Sequence, residues 1–152
     1  MAFLVSSCAD QPAVSKKELH KNWTFQATGD TLWSEAQVPG TVHTDLLDLH
    51  KIEDPFYRLN EHDLQWIDKK DWVYQSQFPI TEEVLEEPHI ALLFDGIDTY
   101  GKVFLNDSLI LETDNMFRNY EADVKPNLRL GENTLRIVLA SPIKKSIEKY
   151  DA

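Results

Sequence analysis

The sequence predicts an all-β protein, an antiparallel β-sandwich of jelly-roll type with short helices inserted between its first strands, and three observations carry that prediction. The first is the stretch from Phe94 to Val124. There Phe94-Asp95-Gly96 closes one strand, Tyr100 to Leu105 alternates bulky and polar positions, and Leu109-Ile110-Leu111 runs back beyond an Asn106-Asp107 turn. Asn and Asp accept the positive φ that a two-residue hairpin turn demands. The second is strict alternation over Asp71–Phe78, which puts Trp72, Tyr74, Ser76 and Phe78 on one face. The third is spacing: the strand-like runs are separated by Gly, Pro, Asn and Asp, with little room for the helical crossovers a parallel sheet needs.

Taken in order, residues 1–15 read as a leader and linker, 16–143 as the sandwich, and 144–152 as the start of a helical or loop tail. Leu19 to Ala27 alternates around Trp23 and Phe25 as a first strand. Val38-Pro39-Gly40 is a turn, and Thr41 to His50 a short helix with Val42, Leu46 and Leu47 on one side. Pro55 lacks a donor and keeps Asp54 out of the α region, so Asp54 to Asn60 is irregular. Glu61 to Lys70 carries Leu64 and Ile67 at helical spacing. Pro79 is expected to stop the Asp71–Phe78 strand, and the apolar run His89 to Phe94 to be buried on both faces. Asn133 to Ala140 gives a last strand with Leu135, Ile137 and Leu139 on one side. The tail from Ser141 is helical with nothing to pack against. That makes six or seven strands.

Length and composition fit one globular domain. A chain of 152 residues buries roughly two-thirds of its unfolded surface, and 42% apolar residues can fill one core. A net charge of −11 argues against nucleic acid or an anionic membrane as partner, since both require clustered Lys and Arg. No run approaches the ~20 apolar residues of a membrane span. The single cysteine, Cys8, allows no internal disulfide and no cysteine metal site. Leu4-Val5-Ser6-Ser7-Cys8 is similar to the tail of a bacterial lipoprotein signal, in which the Cys is lipidated. Membrane contact is therefore expected only through a lipid on Cys8, with a periplasmic or membrane-anchored location.

No self-contained catalytic site emerges. The five histidines have no metal-ligand spacing; His43 and His50 lie seven apart on the expected helix, two turns from each other. There is no Gly-x-Ser-x-Gly elbow and no Gly-rich phosphate loop. Asp95, Asp98 and Asp114 sit where turn chemistry wants Asp. Trp23 and Trp72 hold strand-core positions, whereas Trp33, Trp66, Phe56 and Tyr57 lie in loops, where flat rings can stack on sugars or fill space.

Six motifs in order supply more. Val38-Pro39-Gly40-Thr41-Val42-His43-Thr44-Asp45-Leu46-Leu47, Asp54-Pro55-Phe56-Tyr57-Arg58-Leu59-Asn60-Glu61, Asp71-Trp72-Val73-Tyr74, Phe94 to Tyr100, Leu111 to Arg118 and Gly131-Glu132-Asn133 closely resemble the N-terminal, galactose-binding-like domain of β-mannosidases of glycoside hydrolase family 2. The resemblance, read together with Cys8, implies a bacterial exo-enzyme that removes terminal β-D-mannose with retention, through two glutamates of a TIM barrel that this chain lacks. It implies no cofactor. The domain would support the barrel and lend loops to the rim of its sugar pocket, with β-mannoside oligosaccharides and the barrel as partners. A Trp-Asp-Trp-Gly-Pro stretch would follow Ala152, so the sandwich is expected to lack its closing strands, and the 152 residues alone to be inactive. Tyr57, Arg58, Asn60 and Glu61 are the candidate sugar-contacting residues, with Arg58 and Asn60 able to hydrogen-bond hydroxyls. The other function open at this point is a stand-alone carbohydrate-binding module.

Overall fold

A computed structural model describes residues 14–150. Cys8, and with it the lipoprotein reading, lies outside the described residues.

Among the described residues, eight strands form two antiparallel sheets. The larger contains β1 (Trp23–Ala27), β2 (Ser34–Glu35), β3 (Trp72–Ile80), β5 (Tyr100–Leu105), β6 (Ser108–Thr113) and β8 (Gly131–Ala140), in the order β2-β1-β3-β8-β5-β6. The smaller pairs β4 (Ala91–Phe94) with β7 (Tyr120–Asp123). Short helices α1 (Val42–Asp48) and α2 (Asn60–Leu64) fill the insertion between β2 and β3. A third, α3 (Glu82–Glu86), links β3 to β4, and α4 (Pro142–Tyr150) follows β8. This is the expected antiparallel sandwich.

Register explains the core. Phe25, Tyr74, Ile137, Val103 and Leu111 stand in one row across the large sheet. Because side chains alternate, the same face carries Trp23, Trp72, Phe78, Leu135 and Leu105, all buried. Phe25 stacks on Tyr74 with ring centroids 5.4 Å apart. Ala122 and Val124 close the core from the small sheet, and Leu46, Leu64 and Ile67 close it from the insertion. The β5–β6 turn has Asn106 and Asp107 at φ 48° and 68°, the left-handed pair that a tight hairpin requires. Asn133, wholly buried, is hydrogen-bonded to Arg129, Gly131 and Asn106, which ties that hairpin to β8.

Several expectations are corrected. The first strand starts at Trp23, because Asn22 turns at φ 61° and the Trp23 indole donates back to Leu19 O. Pro79 does not end β3, which pairs with β8 through Ile80. Past Ser76 that strand has no β1 partner, so one edge needs no donor. β4 is not buried on both faces: it pairs only β7, and Leu93 points outward at 56% exposure. Of the Glu61–Lys70 segment only the part up to Leu64 is α-helical, in a helix that runs Asn60–Leu64. His50 turns left-handed at φ 53° beyond the end of α1, so it shares no helix face with His43. The tail helix starts at Pro142 and is anchored: the Ser141 hydroxyl donates to Asp68 O, and Lys144 reaches Asp71 at 3.1 Å.

Candidate functional site

Strand register places the loops. Ala27, Trp72, Leu139, Gly101 and Thr113 form one row across β1, β3, β8, β5 and β6. Every chain segment leaving or entering that row therefore emerges at one end of the sandwich: 28–33, 65–71, 95–99, 114–119 and 141.

The insertion reaches that end from a fixed base. Thr41 caps α1, its hydroxyl accepting the Thr44 N–H while the Thr44 hydroxyl accepts the Thr41 N–H. Asp45 is buried in the first turn. One carboxylate oxygen accepts the Gln37 N–H at 2.9 Å and the other the Tyr74 hydroxyl at 2.7 Å. Burial pushes the Tyr74 phenol well above its ordinary range, and the hydrogen bond to Asp45 adds to the effect. This pair clamps the insertion to β3 across 29 residues.

Beyond the clamp the chain folds on itself. Asp54 accepts the Phe56 N–H on its side chain and the Tyr57 N–H on its carbonyl. Arg58 turns at φ 55° and lays its guanidinium 5.0 Å from the Tyr57 ring centroid. Asn60 donates its side-chain amide to Asp54 O at 2.9 Å. The sequence-nominated residues thus divide. Tyr57 and Arg58 form an exposed pair, Asn60 commits one donor to bracing the loop, and Glu61 lines a shallow cavity with His43, Pro55, Leu64, Gln65 and Asp68. Phe56, one of the loop rings read as able to stack on a sugar or fill space, is 97% exposed.

A second loop repeats the device. Asn115 accepts the Phe117 N–H on its side chain, Arg118 lies over Tyr120 at 5.7 Å, and Phe117 is 88% exposed. Tyr120 locks this loop by donating to Asn115 O and accepting the Asn115 N–H. Sequence reading missed the second loop because Asp114-Asn115 reads as ordinary turn chemistry. The signal available was the shared pattern of Asp or Asn, one residue, Phe, and an Arg within two residues of a Tyr.

Most remaining motif residues are fold locks. Asp71 accepts the Ser141 N–H and pairs with Lys144; burial raises its pKa, but these partners together hold the carboxyl below its usual range. Thr113 accepts the Gly101 N–H and donates to Thr99 O. Gly96 lies so close to Met116 that a Cβ would stand 2.8 Å from its carbonyl oxygen. Among the described residues, no group of three His, Cys, Asp or Glu could hold a metal ion, and no helix is long and apolar enough to cross a membrane.

Comparison with known proteins adds a family match, two relatives and two solved structures. Residues 23–152 match the family model described as glycosyl hydrolase 2 galactose-binding domain-like. The β-mannosidase B of Emericella nidulans is 39% identical over 130 residues, covering 82% of this chain and 15% of that protein. The β-mannosidase of Bos taurus is 35% identical, covering 82% of this chain and 14% of that protein. Among solved structures, a β-D-mannosidase from Dictyoglomus thermophilum superposes with a TM-score of 0.82 at 45% identity, over 84% of this chain and 16% of that one. A β-D-glucuronidase from the same organism, at 20% identity and a TM-score of 0.63, shares the fold. The chain thus spans about one-sixth or less of the length of the β-mannosidases it matches.

Proposed function

The chain belongs to the glycosyl hydrolase 2 galactose-binding domain-like family, and from that premise we propose that it is the non-catalytic N-terminal domain of a β-mannosidase acting on terminal β-D-mannose. The observation that carries the reading is the pair of braced loops presenting Phe56 and Phe117 to water. Covering one such ring stabilises an assembly by about 1.5–3 kcal/mol. Two held rigidly in the open suit a surface that receives a larger body. In this reading that body is a TIM barrel carrying two catalytic glutamates and working with retention. Tyr57, Arg58, Asn60 and Glu61 reach the rim of its sugar pocket, with Arg58 offering donors to hydroxyls. The 152 residues alone turn over nothing. Cys8 carries a lipid that holds the enzyme at the membrane facing the periplasm.

The test uses the longer protein containing this domain and a chromogenic β-D-mannopyranoside. Hydrolysis whose first-formed product is the β-anomer is expected, and no hydrolysis, or inversion, would refute the proposal. Arg58→Ala in that protein should raise KM about tenfold, a loss of ~1.4 kcal/mol. A Cys8→Ser variant still recovered with the membrane would refute the lipid anchor.

A further inference from the structure

The tail helix α4 is built inside out. At about 100° per residue, Ile143, Ile147 and Tyr150 fall within a sector of about 60°, while Lys144, Lys145, Glu148 and Lys149 occupy the other side. A helix on the surface of a globular domain turns its apolar stripe to the core. Here the polar side faces the sandwich. Lys144 reaches Asp71 at 3.1 Å, and Lys149 donates to the Tyr100 hydroxyl at 3.2 Å with its ammonium 4.7 Å from that ring's centroid. The apolar stripe is left in water: Ile147 is 57% exposed, Tyr150 92%, and no residue of α4 is buried.

That orientation is fixed at the helix start. Ser141, wholly buried, accepts the Lys144 N–H on its hydroxyl at 3.2 Å and donates that hydroxyl to Asp68 O at 2.5 Å. Its own N–H goes to the Asp71 carboxylate. Rolling the stripe inward would break the Lys144 and Lys149 contacts and leave the core with nothing to receive it. From Asp71, at the start of β3, to Tyr100, at the start of β5, α4 crosses the same end of the sandwich from which the Phe117 loop emerges.

We propose that α4 is a docking element for another domain of the same polypeptide, one that presents an apolar hollow rimmed by carboxylates to Ile143, Ile147 and Tyr150. The inference rests on the reading above that this chain is one domain of a longer enzyme. Size selects a tethered occupant. A nine-residue helix is only about 14 Å long and about 10 Å across, so one face of it offers far less than the ~800 Å² per partner that holds separate proteins together. A domain on the same chain meets it at an effective concentration of about a millimolar, where a small patch suffices. Most of each β-mannosidase matched lies outside this domain. Charge argues the same way. Two copies at −11 each repel, and an anionic membrane repels one, whereas three lysines against one glutamate in α4 suit an acidic rim.

The test is amide hydrogen exchange, read by mass spectrometry, on the 152-residue chain and on the longer protein containing it. In the longer protein the α4 amides should exchange at least about tenfold more slowly. Helix α3, which follows the opposite end of β3 and has no buried residue, should change less. Ile147→Lys should return α4 to fast exchange in the longer protein while leaving the melting temperature of the 152-residue chain unchanged, a combination that a structural role for Ile147 within this domain would not give. Equal α4 exchange in the two proteins overturns the proposal, as does slowing no greater than at α3, or protection that survives Ile147→Lys. So does a dimer of the 152-residue chain that Ile147→Lys abolishes, or its sedimentation with phosphatidylglycerol vesicles, since each names a different occupant. Exchange is read without turnover. A longer protein that protects α4 but hydrolyses no β-mannoside would refute the proposed function alone, and an active one with α4 unprotected would refute this inference alone.

Discussion

Replacing Tyr74 by Phe removes one oxygen from the core and should reveal how firmly the insertion is clamped to the sandwich. The Tyr74 hydroxyl donates to buried Asp45 at 2.7 Å, and Asp45 then keeps only the Gln37 N–H. A hydrogen bond to a charged group contributes about 1.5–3 kcal/mol, and the buried acceptor has no water to replace it. With a urea m-value of about 2 kcal/mol/M, the unfolding midpoint at pH 7 should fall by roughly 1 M.

The pH dependence makes the reasoning stricter. The folded phenol is held above its ordinary value of about 10, so at pH above 10 the unfolded chain loses this proton and the folded chain keeps it. The stabilisation is therefore fully present below pH 10 and is lost above it, at about 1.4 kcal/mol per pH unit. Phe cannot ionise, and the exposed tyrosines cancel between the two proteins. The gap between wild type and Tyr74→Phe should then narrow by about 1.4 kcal/mol between pH 9 and pH 11. The assay is urea unfolding followed by tryptophan fluorescence at pH 7, 9 and 11. A difference below about 0.5 kcal/mol at pH 7, or one that does not change with pH, would refute the clamp.

Two further substitutions test the loops and the hairpin. Gly96→Ala would place a methyl 2.8 Å from the Met116 carbonyl oxygen, so a loss of about 1–3 kcal/mol is expected, with faster amide exchange over residues 114–118. Asn133→Leu removes a buried amide that meets four partner atoms, two accepting from it and two donating to it. It should cost about 3 kcal/mol or more, read as a fall in melting temperature; a change within about 0.5 kcal/mol would remove Asn133 from the lock.

Much of this fold is legible in the sequence, because much of it is local. Alternation over Trp72, Tyr74, Ser76 and Phe78 follows from the two-residue period of a strand, and their burial bears it out. Asn106-Asp107 specified its turn because few residues tolerate two consecutive positive φ values. Periodicity failed where context overrode it. The His89–Phe94 run looked doubly buried, yet its strand has one neighbour and one inner face. Pro79 looked like a stop, yet its edge of β3 is open.

By itself, then, the sequence determined the antiparallel sandwich, its main hairpin, its apolar face and its likeness to the β-mannosidase N-terminal domain, since these rest on short-range pattern or on ordered motifs. Only the tertiary structure decided that Asp45 meets Tyr74 and that Ser141 meets Asp68 and Asp71, contacts 29 and about 70 residues apart along the chain. Nor could the sequence show that His43, Glu61 and Asp68 line one cavity. No local rule encodes which distant side chains meet. Strand register and loop closure set that, and both exist only once the sheets have paired.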